Sequence, residues 1–175
     1  MKLHDIQPAD LAVRPHDIWA NKWFVLAAGD FRRQQFNAMA VGWGAFGTMW
    51  GRPFAMAVIR PTRYTYTFAE RYDTFTLCAF PEKFRPAVQL LGSKSGRDCD
   101  KIAEAGLAPV AASKVDAPAF AEAELIIECR KIYFDDIDPA NFLDRSIDTN
   151  YQQKDYHRMY FGEIVAVRGT KEYVR

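Results

Sequence analysis

The chain has 175 residues, of which 49% are hydrophobic and 14% aromatic, enough apolar material for a core without disulfide bonds. Its 23 Lys and Arg nearly cancel its 22 Asp and Glu, so a net charge of +1 gives no overall attraction for nucleic acid or an anionic membrane. Cys78, Cys99 and Cys129 form no C-x-x-C pair, and the three histidines lack metal-ligand spacing. We therefore expect a single cytoplasmic domain over residues 1–175, with reduced thiols and no metal site.

Six apolar segments predict β-strands, because they are rich in branched and aromatic residues and end at turn signals. The segment 74–80 alternates apolar residues with Thr and Cys, as a half-buried strand does. The segment 54–59 is a short continuous apolar run, which is typical of a buried strand. The six predicted strands are 23–28, 36–44, 54–59, 74–80, 123–134 and 159–168.

Short helices are predicted between these strands. Tyr64, Phe68 and Tyr72 share one helical face, and Thr62 is placed to cap the first turn of that helix. Two further helices are predicted at 84–91, where Pro86 fits only a first turn, and at 98–105. Residues 107–120 and 135–158 are predicted as surface connections. Many closely spaced strands with brief helices favour a mainly antiparallel β-barrel over a regular β-α-β alternation.

Gly42, Gly44 and Gly47 spell G-x-G-x-x-G, the spacing of a dinucleotide-binding turn. Such a turn requires a helix after its last glycine, and here Gly51 and Pro53 follow within six residues. No carboxylate stands about 20 residues further on to bind a ribose. The sequence therefore excludes a Rossmann turn, and it leaves two explanations of equal weight: dense packing against a neighbouring strand, or close approach of a ligand.

Two clusters of donors favour an anionic ligand. Arg60, Thr62, Arg63 and Thr65 stand where a strand gives way to a helix start, so that guanidinium groups, hydroxyls and free amides can converge on one phosphate. The alternative is an ordinary capped helix with solvated arginines. The second cluster, 92–101, supplies Lys, Ser and Arg donors in a glycine-containing loop, but it lacks the G-K-[ST] ending of a P-loop.

The order of the motifs resembles the flavin reductase-like FMN-binding split-barrel family, especially its flavoredoxin branch. The motifs are N-x-M-x-x-G-W-G at 37–44, R-P-x-R-Y-T-Y at 60–66, S-G-R-D-x-D-K at 95–101 and H-R-x-Y-x-G-E-I at 157–164. The resemblance implies a six-stranded Greek-key split barrel, and a homodimer with FMN near the subunit interface. It places Asn37, Met39, Val41, Gly42 and Trp43 along the isoalloxazine, Arg60, Thr62, Arg63, Tyr64 and Thr65 at the phosphate end, and Ser95, Gly96, Arg97 and Lys101 over the cofactor.

The implied function is hydride transfer from NAD(P)H to FMN, followed by electron transfer to free flavin, ferric iron or a protein. No side chain is assigned a catalytic role, because the cofactor carries the chemistry. Two other functions are left open: a flavoredoxin-like electron carrier without direct NAD(P)H activity, and a flavin-free binding module. His157 is a candidate for contact with substrate or flavin, although a structural histidine is the simpler interpretation.

Overall fold

The structure is a computed structural model that describes residues 2–175. Over this range it has ten strands and four α-helices, joined by short 3-10 turns. The strands are β1 His4–Ile6, β2 Phe24–Asp30, β3 Gln35–Val41, β4 Gly44–Met49, β5 Arg52–Ile59, β6 Thr74–Ala79, β7 Pro109–Val110, β8 Ala119–Phe120, β9 Leu125–Asp136 and β10 Arg158–Gly169. The helices are α1 Pro15–Asp17, which continues as a π-helical turn over Ile18–Lys22, α2 Tyr64–Arg71, α3 Arg85–Ser93 and α4 Lys101–Glu104.

Eight of the strands form one antiparallel sheet in the order β3-β2-β6-β9-β10-β5-β4, and β1 pairs with the end of β10. β7 and β8 form a separate small pair. Within residues 2–175 the two edge strands, β3 and β4, do not pair, so the barrel stays open on that side. β3 and β5 nevertheless approach each other across the opening. An open antiparallel barrel with short helices confirms the predicted fold class, with eight strands in the sheet instead of six.

Both faces of the central strands are buried. In β2, Phe24 and Leu26 point into the core enclosed by the barrel, whereas Val25 and Ala27 pack outside it against Val88 and other residues of α3. This explains why the segment is a continuous apolar run: a strand covered on both faces has no polar face to alternate with.

Most predicted strands shift by one or two residues at their ends, and β1, β7 and β8 were not predicted; two differences are larger. The predicted strand 36–44 ends at Val41, and a separate strand, β4, begins at Gly44. β4 and β5 form a hairpin through Trp50 and Gly51, whose φ angles of 53° and 69° are those of a two-residue type I′ turn. The predicted helix 98–105 is shorter, because Asp100 caps α4 by accepting a hydrogen bond from the Ala103 amide.

The G-x-G-x-x-G glycines are explained by packing around this hairpin. A Cβ on Gly44 would lie 2.4 Å from both the Met56 carbonyl oxygen and the Trp19 ring, and a Cβ on Gly42 would lie 2.9 Å from the Trp23 ring. No L side chain fits at such distances without movement of its neighbours. A strand and not a helix follows the motif, which confirms that it is no dinucleotide turn.

We predict that Gly44→Ala lowers the free energy of unfolding by roughly 1–3 kcal/mol, the usual cost of overpacking. The added methyl group meets a backbone carbonyl that cannot move without shifting the β4–β5 ladder. Gly47→Ala is the matched control, because its Cβ would meet only the Phe54 ring, at 3.0 Å. Urea unfolding of both variants measures the difference, and equal losses would contradict this explanation of Gly44.

Candidate functional site

Cavity A, of about 480 Å³, opens where β3, β5 and α3 meet beside the gap in the barrel. Its wall is mainly apolar, with a few polar groups contributed by α3 and by the segment before β10. It is lined by Trp23, Met39, Ala40, Val41, Gly42, Trp43, Val58, Arg60, Gln89, Gly92, Ser93 and His157. Its volume falls in the range of roughly 300–1,000 Å³ that is usual for small-molecule sites.

Cavity B, of about 930 Å³, is more polar and lies between the start of β3, α2 and the 96–103 segment. Aromatic side chains of α2 and cations from α2 and the 96–103 segment contribute to its wall. Among its lining residues are Phe36, Asn37, Tyr64, Phe68, Arg71, Gly96, Arg97 and Lys101.

Ten of the fourteen residues predicted to bind the cofactor line these two cavities. Met39, Val41, Gly42, Trp43 and Arg60 line cavity A, and Asn37, Tyr64, Gly96, Arg97 and Lys101 line cavity B. The remaining four, Thr62, Arg63, Thr65 and Ser95, lie close to these walls in the chain but outside the two linings.

Contacts between buried groups join the predicted segments to one another. The Asn37 side chain donates to the Thr65 hydroxyl over 2.9 Å, and both residues are buried. A Cβ on Gly96 would lie 2.5 Å from the Asn37 Oδ1, so only glycine allows the third segment to approach this closely. Residues 28 and 31 positions apart in the chain therefore meet at one place.

Arg63 and Lys101 place two positive charges beside the cavities. Lys101 is only 3% exposed and donates to the carbonyl oxygens of Leu91 and Lys94, over 2.9 and 3.1 Å. Arg63 donates to the Gly92 carbonyl. Among residues 2–175, neither cation forms a salt bridge with a carboxylate. Burial, together with the charge of Arg63, lowers the pKa of Lys101 to about 8. A buried cation without a counter-charge is costly, so this pair favours an anion.

Arg60 differs from these two cations because it has a carboxylate partner. Its guanidinium donates to Asp155 over 2.9 Å and to the Asn150 carbonyl over 2.8 Å. Thr62 also donates to Asp155, over 3.2 Å. The predicted capping of α2 by Thr62 is therefore wrong: Arg63 occupies the N-cap position and makes no side-chain capping bond.

His157 lies at the edge of cavity A, between Trp43 and Tyr151. Its ring centroid is 5.1 Å from that of the half-exposed Trp43, and its Nδ1 is 2.9 Å from the Tyr151 hydroxyl. Burial and the charge of Arg60 lower the pKa of His157 to about 4. The imidazole is therefore neutral near pH 7 and presents no charge to the cavity.

Several lining residues of cavity A were not predicted from the sequence. Gln89 and Ser93 stand four positions apart on α3, a spacing that places two polar side chains on one face of the helix. Trp23 has a φ of 62°, and the Arg85 guanidinium lies 4.1 Å from its ring centroid. The helical spacing was visible in the sequence, whereas the unusual backbone of Trp23 was not.

Solved structures with this architecture define the class of fold. Flavoredoxin of Desulfovibrio vulgaris (Miyazaki F) is 25% identical with a TM-score of 0.67, over 94% of this chain and 75% of that one. A Shewanella frigidimarina protein described as a flavin reductase with a split barrel domain is 17% identical with a TM-score of 0.69, over 93% and 75%. The NADH:FAD oxidoreductase SgcE6 of Streptomyces globisporus is 14% identical with a TM-score of 0.61, over 83% and 74%. The fold is thus the split barrel.

The family itself is shown by a match to the flavin reductase-like domain over residues 20–174. The chain belongs to the flavin reductase-like family, and this membership makes it a flavin-binding redox protein. No curated protein matches the chain. Over residues 2–175, no helix is long and apolar enough to cross a membrane.

Proposed function

We propose that the chain binds FMN and acts as an NAD(P)H-dependent oxidoreductase of the flavin reductase type. The observation that carries this proposal is the pair of cations, Arg63 and Lys101, that lie beside the cavities without a carboxylate partner in the described chain. FMN joins a flat apolar ring to a phosphate dianion, and the site offers an apolar cavity next to uncompensated positive charge.

Cavity A has the character that the ring requires. Met39, Val41 and Val58 give it apolar walls, and the half-exposed Trp43 offers an aromatic face for stacking. Gly42 lies in the same wall, with the Trp23 ring packed where a side chain would otherwise be. We propose Met39, Val41, Gly42 and Trp43 in the wall of cavity A as residues along the ring, together with Asn37, which lies on the same strand as Met39 but lines cavity B.

The phosphate end is proposed around Arg63 and Lys101. Tyr64 and Thr65 start α2 beside Arg63, and Ser95, Gly96 and Arg97 precede Lys101 in the loop that meets α2. Arg97 donates to the Thr62 carbonyl over 3.1 Å and lies 5.1 Å from the Tyr64 ring centroid, which holds this loop against α2. The hydroxyls and cations of these two segments supply the donors that a phosphate needs.

FMN held at this site would supply the redox chemistry, which is hydride acceptance from a reduced nicotinamide and electron transfer to a second acceptor. The residues of this chain hold the ring and the phosphate, and they shield one side of cavity A from water. The neutral His157 adds no charge there, and no side chain is required to gain or lose a proton. For the acceptor we propose free flavin, ferric iron or a protein. The reaction in the name of the Streptomyces relative, NADH with FAD, is one example of such a transfer.

One observation favours a second function, that of an electron carrier reduced by another protein. The flavoredoxin of Desulfovibrio vulgaris is 25% identical across 94% of this chain, a higher identity than that of the NADH:FAD oxidoreductase. Both functions need bound FMN. They differ in whether cavity A also admits a nicotinamide against the ring.

The visible spectrum of the purified protein tests FMN binding, and NAD(P)H consumption tests the activity. We expect flavin absorption bands, and steady oxidation of NADH or NADPH when free FMN or a ferric salt is added. A yellow protein that oxidises neither nucleotide with any acceptor would favour the carrier. A colourless protein whose melting temperature does not respond to added FMN would contradict both functions.

Lys101→Met should weaken FMN binding by roughly 10- to 100-fold, the usual worth of a hydrogen bond to a charged group. Riboflavin has the same ring without the phosphate, so its affinity should change little. Lys94→Met is the matched control, since Lys94 is exposed and pairs with Glu104.

The pH dependence of binding gives a second test of Lys101. In the wild type, FMN affinity should fall above pH 8, because Lys101 loses its proton there, and Lys101→Met should not show this fall. Equal losses for FMN and riboflavin would remove Lys101 from the phosphate end.

We also propose a homodimer, with an exposed aromatic patch of Trp50, Tyr133 and Phe161 at its interface. Trp50 is 60% exposed, and the ring centroids in the patch are 5.9 and 5.6 Å apart. Clustered apolar side chains on a surface mark an interaction site more often than scattered ones do. Trp50 also keeps a left-handed backbone that bulky side chains rarely adopt, which indicates a constraint other than folding.

Trp50→Asn should convert the dimer to a monomer, as measured by light scattering after size-exclusion chromatography. Asparagine suits the left-handed backbone, so the monomer itself should lose no stability. Leu143→Asn is the control, because Leu143 is fully exposed outside the patch. A wild-type protein that is monomeric at high concentration would contradict the homodimer.

A cytoplasmic location stays a prediction. Cys78, Cys99 and Cys129 are all free thiols, and Cys78 and Cys129 are buried. Such thiols are typical of proteins in a reducing compartment. Thiol titration of protein isolated without reductant would test this, since oxidised cysteines would argue against the cytoplasm.

A further inference from the structure

The segment between β9 and β10, here called the strap, folds back over the edge of cavity A. The strap comprises residues 137–157, and its two ends are joined by a hydrogen bond from the Ile137 amide to the His157 carbonyl. Its interior consists of two 3-10 turns, Pro139–Asn141 and Arg145–Asn150. Inside the strap, Asp148 accepts hydrogen bonds from Lys154 and Tyr156, and Phe142 stacks on Tyr151. The strap is thus packed by its own side chains, and contacts with the rest of the protein decide how it lies against the barrel.

Arg60, at the boundary of β5, provides that fastening. Its guanidinium donates to Asp155 over 2.9 Å and to the Asn150 carbonyl over 2.8 Å, and it lies 5.1 Å from the Tyr151 ring centroid. Thr62 adds a bond to the other oxygen of Asp155. One cation thus contacts three residues of the strap, and each contact is of a favourable kind for a guanidinium.

The fastened part of the strap contacts His157, which forms part of the cavity wall. Tyr151 is 2% exposed, and its hydroxyl contacts the His157 Nδ1. His157 lines cavity A beside Trp43. A continuous series of contacts therefore runs from Arg60 through Tyr151 and His157 to the surface on which the ring is proposed to lie.

The charges around Arg60 argue against its use as a phosphate ligand. The carboxylate of Asp155 already compensates the charge of Arg60. Burial by itself raises the pKa of Asp155, but the hydrogen bond and the charge of Arg60, together with the bond from Thr62, leave that pKa below its ordinary value. Asp155 and Asn150 take two of the five N–H donors of Arg60, so a phosphate there would face the Asp155 carboxylate and a cation whose charge is already paired. Arg63 and Lys101, which donate to carbonyl oxygens, offer positive charge instead.

We propose that Arg60 is a positioning residue that latches the strap through Asp155, and that selectivity for the flavin phosphate resides in Arg63 and Lys101. This inference rests on the proposed flavin-binding function. The latch holds Tyr151 and His157 against cavity A, so it supports binding of the ring and is indifferent to the phosphate. The opposite role, a phosphate ligand shielded by Asp155 until FMN arrives, makes the opposite prediction for Asp155.

Asp155→Asn separates the two roles by the sign of its effect on FMN affinity. With the latch, loss of the Asp155 charge loosens the strap, and both FMN and riboflavin bind roughly tenfold more weakly. Arg60→Ala should weaken the binding of both ligands by a similar factor. The double variant should bind them no more weakly than either single variant does. Asp144→Asn is the matched control, because this exposed strap carboxylate bonds only the Ser146 amide.

Tighter binding of FMN by Asp155→Asn would overturn the latch, as would a loss in Arg60→Ala that is confined to FMN. Flavin titrations followed by fluorescence quenching provide all of these affinities.

Hydrogen exchange tests the latch without any flavin: amides of residues 137–157 should exchange faster in Asp155→Asn, and those of β9 should not. If the wild type binds neither flavin, the proposed function fails while this exchange measurement still decides the latch. Unchanged exchange in the strap would overturn it.

Discussion

The structure depends on one constraint: the central strands are apolar on both faces, so both faces must be covered. β2 shows this most clearly, with Phe24 and Leu26 in one buried cluster and Val25 and Ala27 in another. A sheet with two apolar faces can cover one by curling on itself and the other by binding helices. The inner face here encloses the barrel core, and α3 covers part of the outer face. Because β3 and β4 do not pair, the curl leaves an opening, and cavity A lies beside it.

The positive charge at this opening also results from the way in which the helices cover the outer face of the sheet. α3 and the loop after it bury Lys101, whose ammonium donates to the carbonyl oxygens of Leu91 and Lys94. These carbonyls accept its hydrogen bonds but do not neutralise its charge. The start of α2 places Arg63 nearby, bonded to a third carbonyl at Gly92. Carbonyl dipoles stabilise an ammonium only in part, so the remaining positive charge makes an anion favourable here. The fold thus places a positive charge here that is complementary to the phosphate of a flavin.

Sequence patterns predicted the fold class well, because they depend on periodicity and turn chemistry. The strand segments, the first-turn position of Pro86 and the failure of the G-x-G-x-x-G motif were all visible locally. β4 was missed because Gly44 to Met49 has little apolar alternation, and its pairing with β5 decides its structure. Likewise, the reason for Gly44 is a tryptophan 25 positions earlier and a carbonyl 12 positions later, and no local pattern contains those contacts.

In the candidate site, too, motifs predicted which residues belong to the site, whereas long-range contacts decide what each residue does. Motif order assigned Asn37, Thr65 and Gly96 to three different parts of one cofactor, and in the structure these three residues lie next to one another. Arg60 and Arg63 were assigned together, and from the sequence they are equivalent: two arginines three positions apart, at the start of one helix. Their surroundings differ because Asp155 and Asn150, some 90 positions further along the chain, contact Arg60 but not Arg63. A guanidinium that has a carboxylate partner holds structure, whereas one that has only carbonyl partners retains charge for a ligand. The partners, and not the residue type, separate the two roles.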